Sequence, residues 1–178
     1  MPISEDSDNM KLTHIKLGND YKDYYNVNWK NQPSMTLNCS SLETFDLMNC
    51  SEYTKTIDLS GSPYIQNVYL NGSGVTSLVL PIGGMLKELR LPTTIKSLDI
   101  NSHSGLTDNG FTIGYYDYDN GNQMRIDKDN PTWVNDYSKL TEISIIDTPI
   151  DTYNMITQAS SLNRYCLNGI NWTITGEE

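Results

Sequence analysis

The sequence predicts a β-rich α/β solenoid with two short strands in each coil of about 21 residues. Three observations lead to this fold class. A phrase of three apolar positions, spaced three and then two residues apart, occurs six times in succession between residues 42 and 100. Turn-forming segments such as SGSP, NGSG, LPIGG and LPTT separate the units. Alternate units lie 20 to 23 residues apart, which is enough chain for two strands and two corners.

Each unit of the phrase predicts one short strand. Its last two apolar members are two residues apart and therefore point to the same side of a strand, while the first member lies at the preceding corner. Successive units are only 9 to 12 residues apart, too close for a strand plus a helix. The six units are Leu42, Phe45 and Leu47; Thr54, Ile57 and Leu59; Ile65, Val68 and Leu70; Val75, Leu78 and Leu80; Leu86, Leu89 and Leu91; and Ile95, Leu98 and Ile100.

Two of the units end in L-x-L-P, as Leu78-Val79-Leu80-Pro81 and as Leu89-Arg90-Leu91-Pro92, close to the form L-x-x-L-x-L-P. This phrase resembles the short-period leucine-rich repeats of bacteria and phages that are called BspA-like, and the resemblance covers residues 37–100. It implies a leucine-rich-repeat-like superhelix. Such arrays occur in cell-surface adhesins and in tail or other virion proteins of phages.

The C-terminal stretch predicts a conventional strand-helix-strand repeat. Two more triplets occur there, with last members 22 residues apart: Leu140, Ile143 and Ile145, and then Leu162, Tyr165 and Leu167. Between them, Thr148 can cap a helix, and Pro149 suits its first turn. The helix is expected to extend to Ser160.

The chain divides into an N-terminal segment or cap, residues 1–36, and a repeat region, residues 37–178. The repeat pattern stops between residues 101 and 139, where Asn, Asp, Gly and Tyr predominate. This part predicts a looped insertion with a short hairpin between residues 111–116 and 123–126. Insertions in a repeat array tend to lie on one face, which is often the face that binds.

Composition and motifs narrow the function. A net charge of −10 argues against nonspecific binding to nucleic acid or anionic membranes, and no apolar run reaches the length of a membrane span. Cys39, Cys50 and Cys166 form no C-x-x-C pair and are expected to be buried thiols. His14 and His103 lie outside any nucleophile or metal-ligand motif, so the sequence favours a protein that is not an enzyme. Its many carboxylates leave a polysaccharide-acting enzyme as a remote alternative.

No cofactor or metal is expected. The loop containing Asp117, Asp119 and Asp127 superficially resembles an EF-hand. Gly121 is one position early, however, and Lys128 stands where a bidentate Glu is needed. A solvated turn is the favoured interpretation, and calcium binding stays an open question.

The outward strand positions supply the candidate binding residues. If alternate units share a sheet, one face presents Thr44, Asn67 and Glu88 in one row and Asp46, Tyr69 and Arg90 in the next. The opposite face presents Thr56, Ser77 and Ser97 beside Asp58, Val79 and Asp99. Tyr and Arg are favoured contact residues, and tyrosines also cluster in the insertion. The predicted binding residues are therefore Asp46, Asn67, Tyr69, Glu88, Arg90, Tyr115, Tyr116 and Tyr118.

The sequence thus favours a binding or adhesion module that presents a rigid repeat surface to a protein or glycan ligand. The alternative is a structural virion component, such as a phage tail or fibre part, or a fragment of a larger surface protein. Both hypotheses favour an extracellular, cell-surface or virion location over a cytoplasmic one. Neither nucleic acid nor membrane insertion is expected, whereas assembly into a larger particle or chain is compatible with the pattern.

Overall fold

A computed structural model describes residues 2–4, 11–18, 28–107, 110–113, 116–117, 122–123, 140, 142–150 and 171–173. This part of the chain is rich in strands that pair in parallel, and it includes a 3₁₀ turn at Trp29–Asn31. It contains no helix with the length and apolar character needed to cross a bilayer. The β-rich character predicted from the repeat is therefore confirmed, and the structure adds that the strands of its three larger sheets pair in parallel.

Five strands form one parallel sheet in the order β10-β8-β6-β4-β2. The strand bounds are β2 His14–Lys16, β4 Thr44–Asp46, β6 Asn67–Tyr69, β8 Glu88–Leu91 and β10 Phe111–Ile113. Neighbours in this five-stranded sheet are alternate strands of the chain, as the spacing of alternate units predicts. The central apolar residues Phe45, Val68 and Leu89 stand in register across three of the strands.

The intervening strands form two further parallel sheets. A four-stranded sheet has the order β1-β3-β5-β7 and a three-stranded sheet the order β14-β13-β9. Their bounds are β1 Pro2–Ser4, β3 Met35–Asn38, β5 Thr56–Asp58, β7 Ser77–Val79, β9 Ser97–Asp99, β13 Glu142–Ser144 and β14 Asn171–Thr173. Residues 1–36 thus contribute β1 and β2, which extend the four-stranded and the five-stranded sheet.

The apolar triplets build one continuous core, to which the inward side chains of the sheets all contribute. Every member of the six triplets is buried except Thr54, which is exposed. Tyr53 is buried in its place, and its hydroxyl donates to the carbonyls of Pro33 and Thr56 at 3.0 and 3.1 Å. At this corner the buried residue is therefore one position earlier than the pattern predicts, because the large ring of Tyr53 reaches the core. Burial of such apolar side chains contributes roughly 2 kcal/mol each.

Four of the corners after the strands share a left-handed residue. It comes two positions after the last apolar member of a unit, at Asn49, Gly72, Ser102 and Asp147, with φ of 61°, 72°, 60° and 52°. Asn, Asp and Gly adopt this conformation most readily, which explains why turn residues punctuate the repeat. Cys39 and Cys50 are buried, as expected, and Cys166 lies outside the described residues.

Buried hydroxyls connect some corners to the neighbouring coil, two units earlier in the chain. Ser62 donates its hydroxyl to the Leu37 carbonyl at 2.9 Å. Thr148 occupies the equivalent place further along, where its hydroxyl donates to the Ile100 carbonyl and accepts the His103 N–H at 3.0 Å. Residues 148–150 form no regular helix. The remainder of the helix predicted between Thr148 and Ser160 lies outside the described residues, as does the triplet from Leu162 to Leu167.

The predicted hairpin in the insertion is wrong in its first arm. Residues 111–113 form β10, which pairs in parallel with β8. The antiparallel pair is shorter and lies between β11, Tyr116–Asp117, and β12, Asn122–Gln123. Leu106 and Phe111 are buried like other triplet members. They are five residues apart instead of three, so the spacing conceals this unit.

Candidate binding face

Parallel register aligns the outward side chains of the five-stranded sheet in two rows. One row runs through Lys16, Asp46, Tyr69 and Arg90, and the next through His14, Thr44, Asn67 and Glu88. The five predicted residues on these strands are therefore neighbours. We call Asp46, Asn67, Tyr69, Glu88 and Arg90 the binding face.

Three of these residues form a linked cluster. The Tyr69 hydroxyl donates to Glu88 Oε2 at 2.7 Å, and Arg90 Nε donates to Glu88 Oε1 at 2.7 Å. Arg90 Nη2 contacts the same Glu88 oxygen. The guanidinium carbon also lies 4.7 Å from the centre of the Tyr69 ring, within the range of a cation–π contact. The cluster remains accessible, since the Arg90 and Glu88 side chains are 21% and 30% exposed.

Tyr69 stays protonated well above neutral pH. Burial raises the pKa of Tyr69 to about 12, and both the hydrogen bond to Glu88 and its negative charge add to the increase. Arg90 acts in the opposite direction and Asp46 adds a small further increase in this pKa. At neutral pH, Tyr69 is therefore a hydroxyl donor held in place by a carboxylate.

Asp46 also caps a turn. It is only 6% exposed, and its Oδ1 accepts the Met48 N–H at 2.9 Å. Its Oδ2 lies 3.9 Å from Lys16 Nζ. Asp58 and Asp99 accept the N–H of Ser60 and of Asn101 in the same way, at 2.9 and 3.0 Å. An aspartate at the last strand position thus caps the following turn, a recurrent signal that the sequence reasoning missed.

Of the other predicted residues, only Asn67 has a described side chain. Asn67 Nδ2 donates to Thr44 Oγ1 at 3.3 Å, a bond across neighbouring strands at the side of the cluster. Tyr116 begins β11, but its side chain lies outside the described part of the structure. Tyr115 and Tyr118 also fall outside it.

The opposite side of the molecule contains a groove that was not predicted. The rows proposed for this side require β7 to pair with β9, and this expectation is wrong. β7 pairs with β5, β9 pairs with β13, and no ladder joins β7 to β9 in the described part of the chain. A cavity of about 920 Å³ lies between them, bordered by Ser77 and Val79 on one side and Ser97 and Asp99 on the other, with Glu142 beyond. We call it the β7/β9 groove.

The two histidines differ in their exposure to solvent. His14 is exposed on the first strand of the five-stranded sheet, whereas His103 is 1% exposed beside the turn at residues 81–84. Burial lowers the pKa of His103, while the carbonyls of Gly84 and Pro81 and the Asp99 carboxylate act in the opposite direction. Within the described ranges, no three His, Cys, Asp or Glu side chains are grouped to hold a metal ion. The acidic loop with Asp119 and Asp127 lies outside those ranges.

Comparison of the chain with protein-family models, with curated proteins and with solved structures found no match. Inference about its function therefore rests on the binding face and the groove.

Proposed function

We propose that this protein is a non-enzymatic binding module with a leucine-rich-repeat-like solenoid scaffold, which presents the binding face to a protein or glycan ligand. The pairing of alternate strands supports the scaffold. It repeats through five strands on one side and four on the other, with the triplet residues inward and polar residues outward. A stack of this kind fixes the spacing of outward side chains along a stiff surface.

The Tyr69–Glu88–Arg90 cluster is the observation that carries the proposal. Each of its side chains contacts the other two, so their rotamers are restricted before a ligand arrives. Ordering such side chains during binding costs about 0.5–1.5 kcal/mol each, and preorganisation reduces that cost. Tyr and Arg also supply large contact areas and several hydrogen bonds, which is why they are frequent in binding hot spots.

The chemistry of the cluster favours a polar, uncharged or zwitterionic ligand surface. A tyrosine hydroxyl, a carboxylate and a guanidinium stand within one patch, together with the Asn67 amide. Sugar hydroxyls and exposed peptide groups match such a mixture of donors and acceptors. Polyanions fit poorly, because the chain carries a net charge of −10.

A glycan array and a panel of surface proteins, probed with the full chain, test this proposal. Arg90→Ala and Tyr69→Phe are expected to weaken any specific binding at least fivefold. Lys55→Ala and Tyr64→Phe are matched controls, because they remove an exposed cation and a phenolic hydroxyl elsewhere. The proposal would be contradicted if the control variants lost as much affinity as the cluster variants, or if neither cluster variant changed the affinity of a specific ligand.

Assembly into a virion or other multi-chain structure is the second candidate. It is favoured by the sheet ends, since β2 of the five-stranded sheet and β1 of the four-stranded sheet each have one edge that no described strand covers. Such edges can pair with another chain. Light scattering over a range of concentrations separates the candidates. A concentration-independent monomer supports a binding module, and a species that grows with concentration supports a structural role.

A further inference from the structure

We infer that the β7/β9 groove binds an extended, basic segment of a partner protein, which adds to the open strand edges. This site is on the opposite side from the binding face and does not depend on the function proposed for it. Three features carry the inference: unpaired strand edges, accessible apolar side chains and an acidic lining.

The strand edges are open because the usual ladder bonds are missing at one junction. In the five-stranded sheet, the Leu47 N–H donates to the Tyr69 carbonyl and the Leu70 N–H to the Arg90 carbonyl, both at 2.8 Å. The Leu59 N–H donates to the Val79 carbonyl at 2.8 Å in the same manner. The equivalent bond between β7 and β9 does not form in the described part of the chain. Facing edges of this kind offer main-chain donors and acceptors to a guest strand.

Apolar side chains are accessible in the groove. Val79 is 42% exposed on one wall, and Ile82, in the turn after β7, is 94% exposed. The core residues Leu78 and Leu98 are also slightly accessible, whereas Phe45, Val68 and Leu89 at the centre of the five-stranded sheet are fully buried. A guest in extended conformation points alternate side chains to one side, so every second residue can contact this apolar surface.

The lining of the groove selects a basic guest. Asp99 and Glu142 border it, and no Lys or Arg is among its described lining residues. The exposed carboxylates therefore favour cationic side chains at the guest positions that alternate with the apolar ones. The same charges, together with the net charge of −10, disfavour a nucleic-acid strand. Cα atoms of β7 and β9 approach within 8 Å of each other, so the guest strand is expected to pair with one edge. Pairing with both edges requires the two strands to separate to about 9.6 Å.

Fluorescence anisotropy with the full chain tests the inference. The probe is a fluorescein-labelled eight-residue peptide of alternating Val and Lys, compared with its Val–Glu counterpart and with a Val–Lys peptide that is N-methylated at alternate residues. The Val–Lys peptide should bind, and the Val–Glu peptide should bind at least tenfold more weakly. N-methylation removes main-chain donors and should also weaken binding roughly tenfold.

Variants locate the peptide on the protein. The double variant Asp99→Asn, Glu142→Gln is expected to weaken the Val–Lys peptide about fivefold and to reduce its salt dependence. Asn retains the Oδ1 acceptor at position 99, so the cap on the following turn can persist. Glu52→Gln removes an exposed charge elsewhere and should leave binding unchanged. Absence of Val–Lys binding, equal binding of the Val–Glu or N-methylated peptide, or unaltered binding by the double variant would overturn the inference.

Discussion

The five-stranded sheet and the β7/β9 groove are built from the same apolar triplet, yet one is closed and the other is open. Within the five-stranded sheet, strand starts are 21 to 30 residues apart, and the steps that lead into β5 and β7 are 21 residues. The step from β7 to β9 is 20 residues, the shortest between successive strands on that side. A buried centre therefore does not guarantee a ladder, because the connection must also have the length to bring the next strand into register.

The outward side chains differ in the same way. On the five-stranded sheet, bonds cross from strand to strand, as between Tyr69 and Glu88 and between Asn67 and Thr44. At the groove, the facing outward residues include two serines and the apolar Val79. Cross-strand side-chain pairs add roughly 0.2–1 kcal/mol each to a sheet. Their presence on one side and the short step on the other account together for the contrast.

The largest expected effect is the loss of folding stability when a charge is buried, and this loss should differ between the two regions. Val68→Asp places a carboxylate at a fully buried position and is expected to abolish cooperative unfolding, since the cost is several kcal/mol. Leu78→Asp should cost less, because the carboxylate can reach water in the groove. Urea unfolding followed by circular dichroism measures both. Val79→Asp is the control at an exposed position of the same strand. Equal losses for Val68→Asp and Leu78→Asp would remove the distinction between the two regions.

Amide hydrogen exchange should show the open junction directly. The Leu47 and Leu70 N–H groups donate to neighbouring strands and should exchange slowly. The Leu80 N–H occupies the equivalent place beside the groove and should exchange at least tenfold faster. Exchange measured by NMR at neutral pH tests this prediction, and similar protection of Leu70 and Leu80 would show that the ladder closes in solution.

Lowering the pH should destabilise the folded protein through His103, which lies on the groove side. Burial makes the pKa of His103 lower in the folded chain than its value of about 6.5 in the unfolded chain. The unfolded chain therefore binds the proton more readily, so stability should fall as pH decreases through that range. Thermal unfolding between pH 7.5 and 5.5 should show a smaller decrease for His103→Gln than for the unaltered chain. His14→Gln, at an exposed position, should retain the full decrease.

The smallest expected effect is the coupling within the binding face. A double-mutant cycle with Tyr69→Phe and Arg90→Met measures how far the two side chains stabilise each other through Glu88 and the ring contact. We expect a coupling of about 0.5–1 kcal/mol, typical of a partly exposed cluster. The same cycle with Tyr69→Phe and Lys55→Met should give a value near zero. A coupling near zero in the first cycle would mean that the cluster is not preorganised in solution.

Much of the strand pattern could be predicted from spacing alone. The two-residue repeat of the last triplet positions identified β4 through β9, because side chains that alternate along a strand must be apolar on the inward side. The failures occurred where the spacing changed, at Tyr53 beside Thr54 and at Leu106 before Phe111. In both places the core accepts an apolar ring from a position that the regular phrase does not include.

The neighbouring positions of the binding-face residues could be predicted, whereas the bonds between their side chains could not. Pairing of alternate strands places Tyr69 beside Arg90 once the period is known. That Glu88 joins them, and that Asp46 is engaged in capping its own turn, depends on side-chain directions that no periodicity supplies. An aspartate in the last strand position, followed two residues later by a turn N–H, is the signal that could have predicted the capping by Asp46.

By itself, the sequence determined which residues face the core, which segments turn and which strands are equivalent, because these depend on local spacing and on turn chemistry. Only the tertiary structure decided which equivalent strands make a ladder and which stand apart at a groove. Ladder formation requires the edges of two distant segments to meet at about 4.8 Å in register. One residue more or less in a connection can change that outcome while leaving the apolar pattern intact.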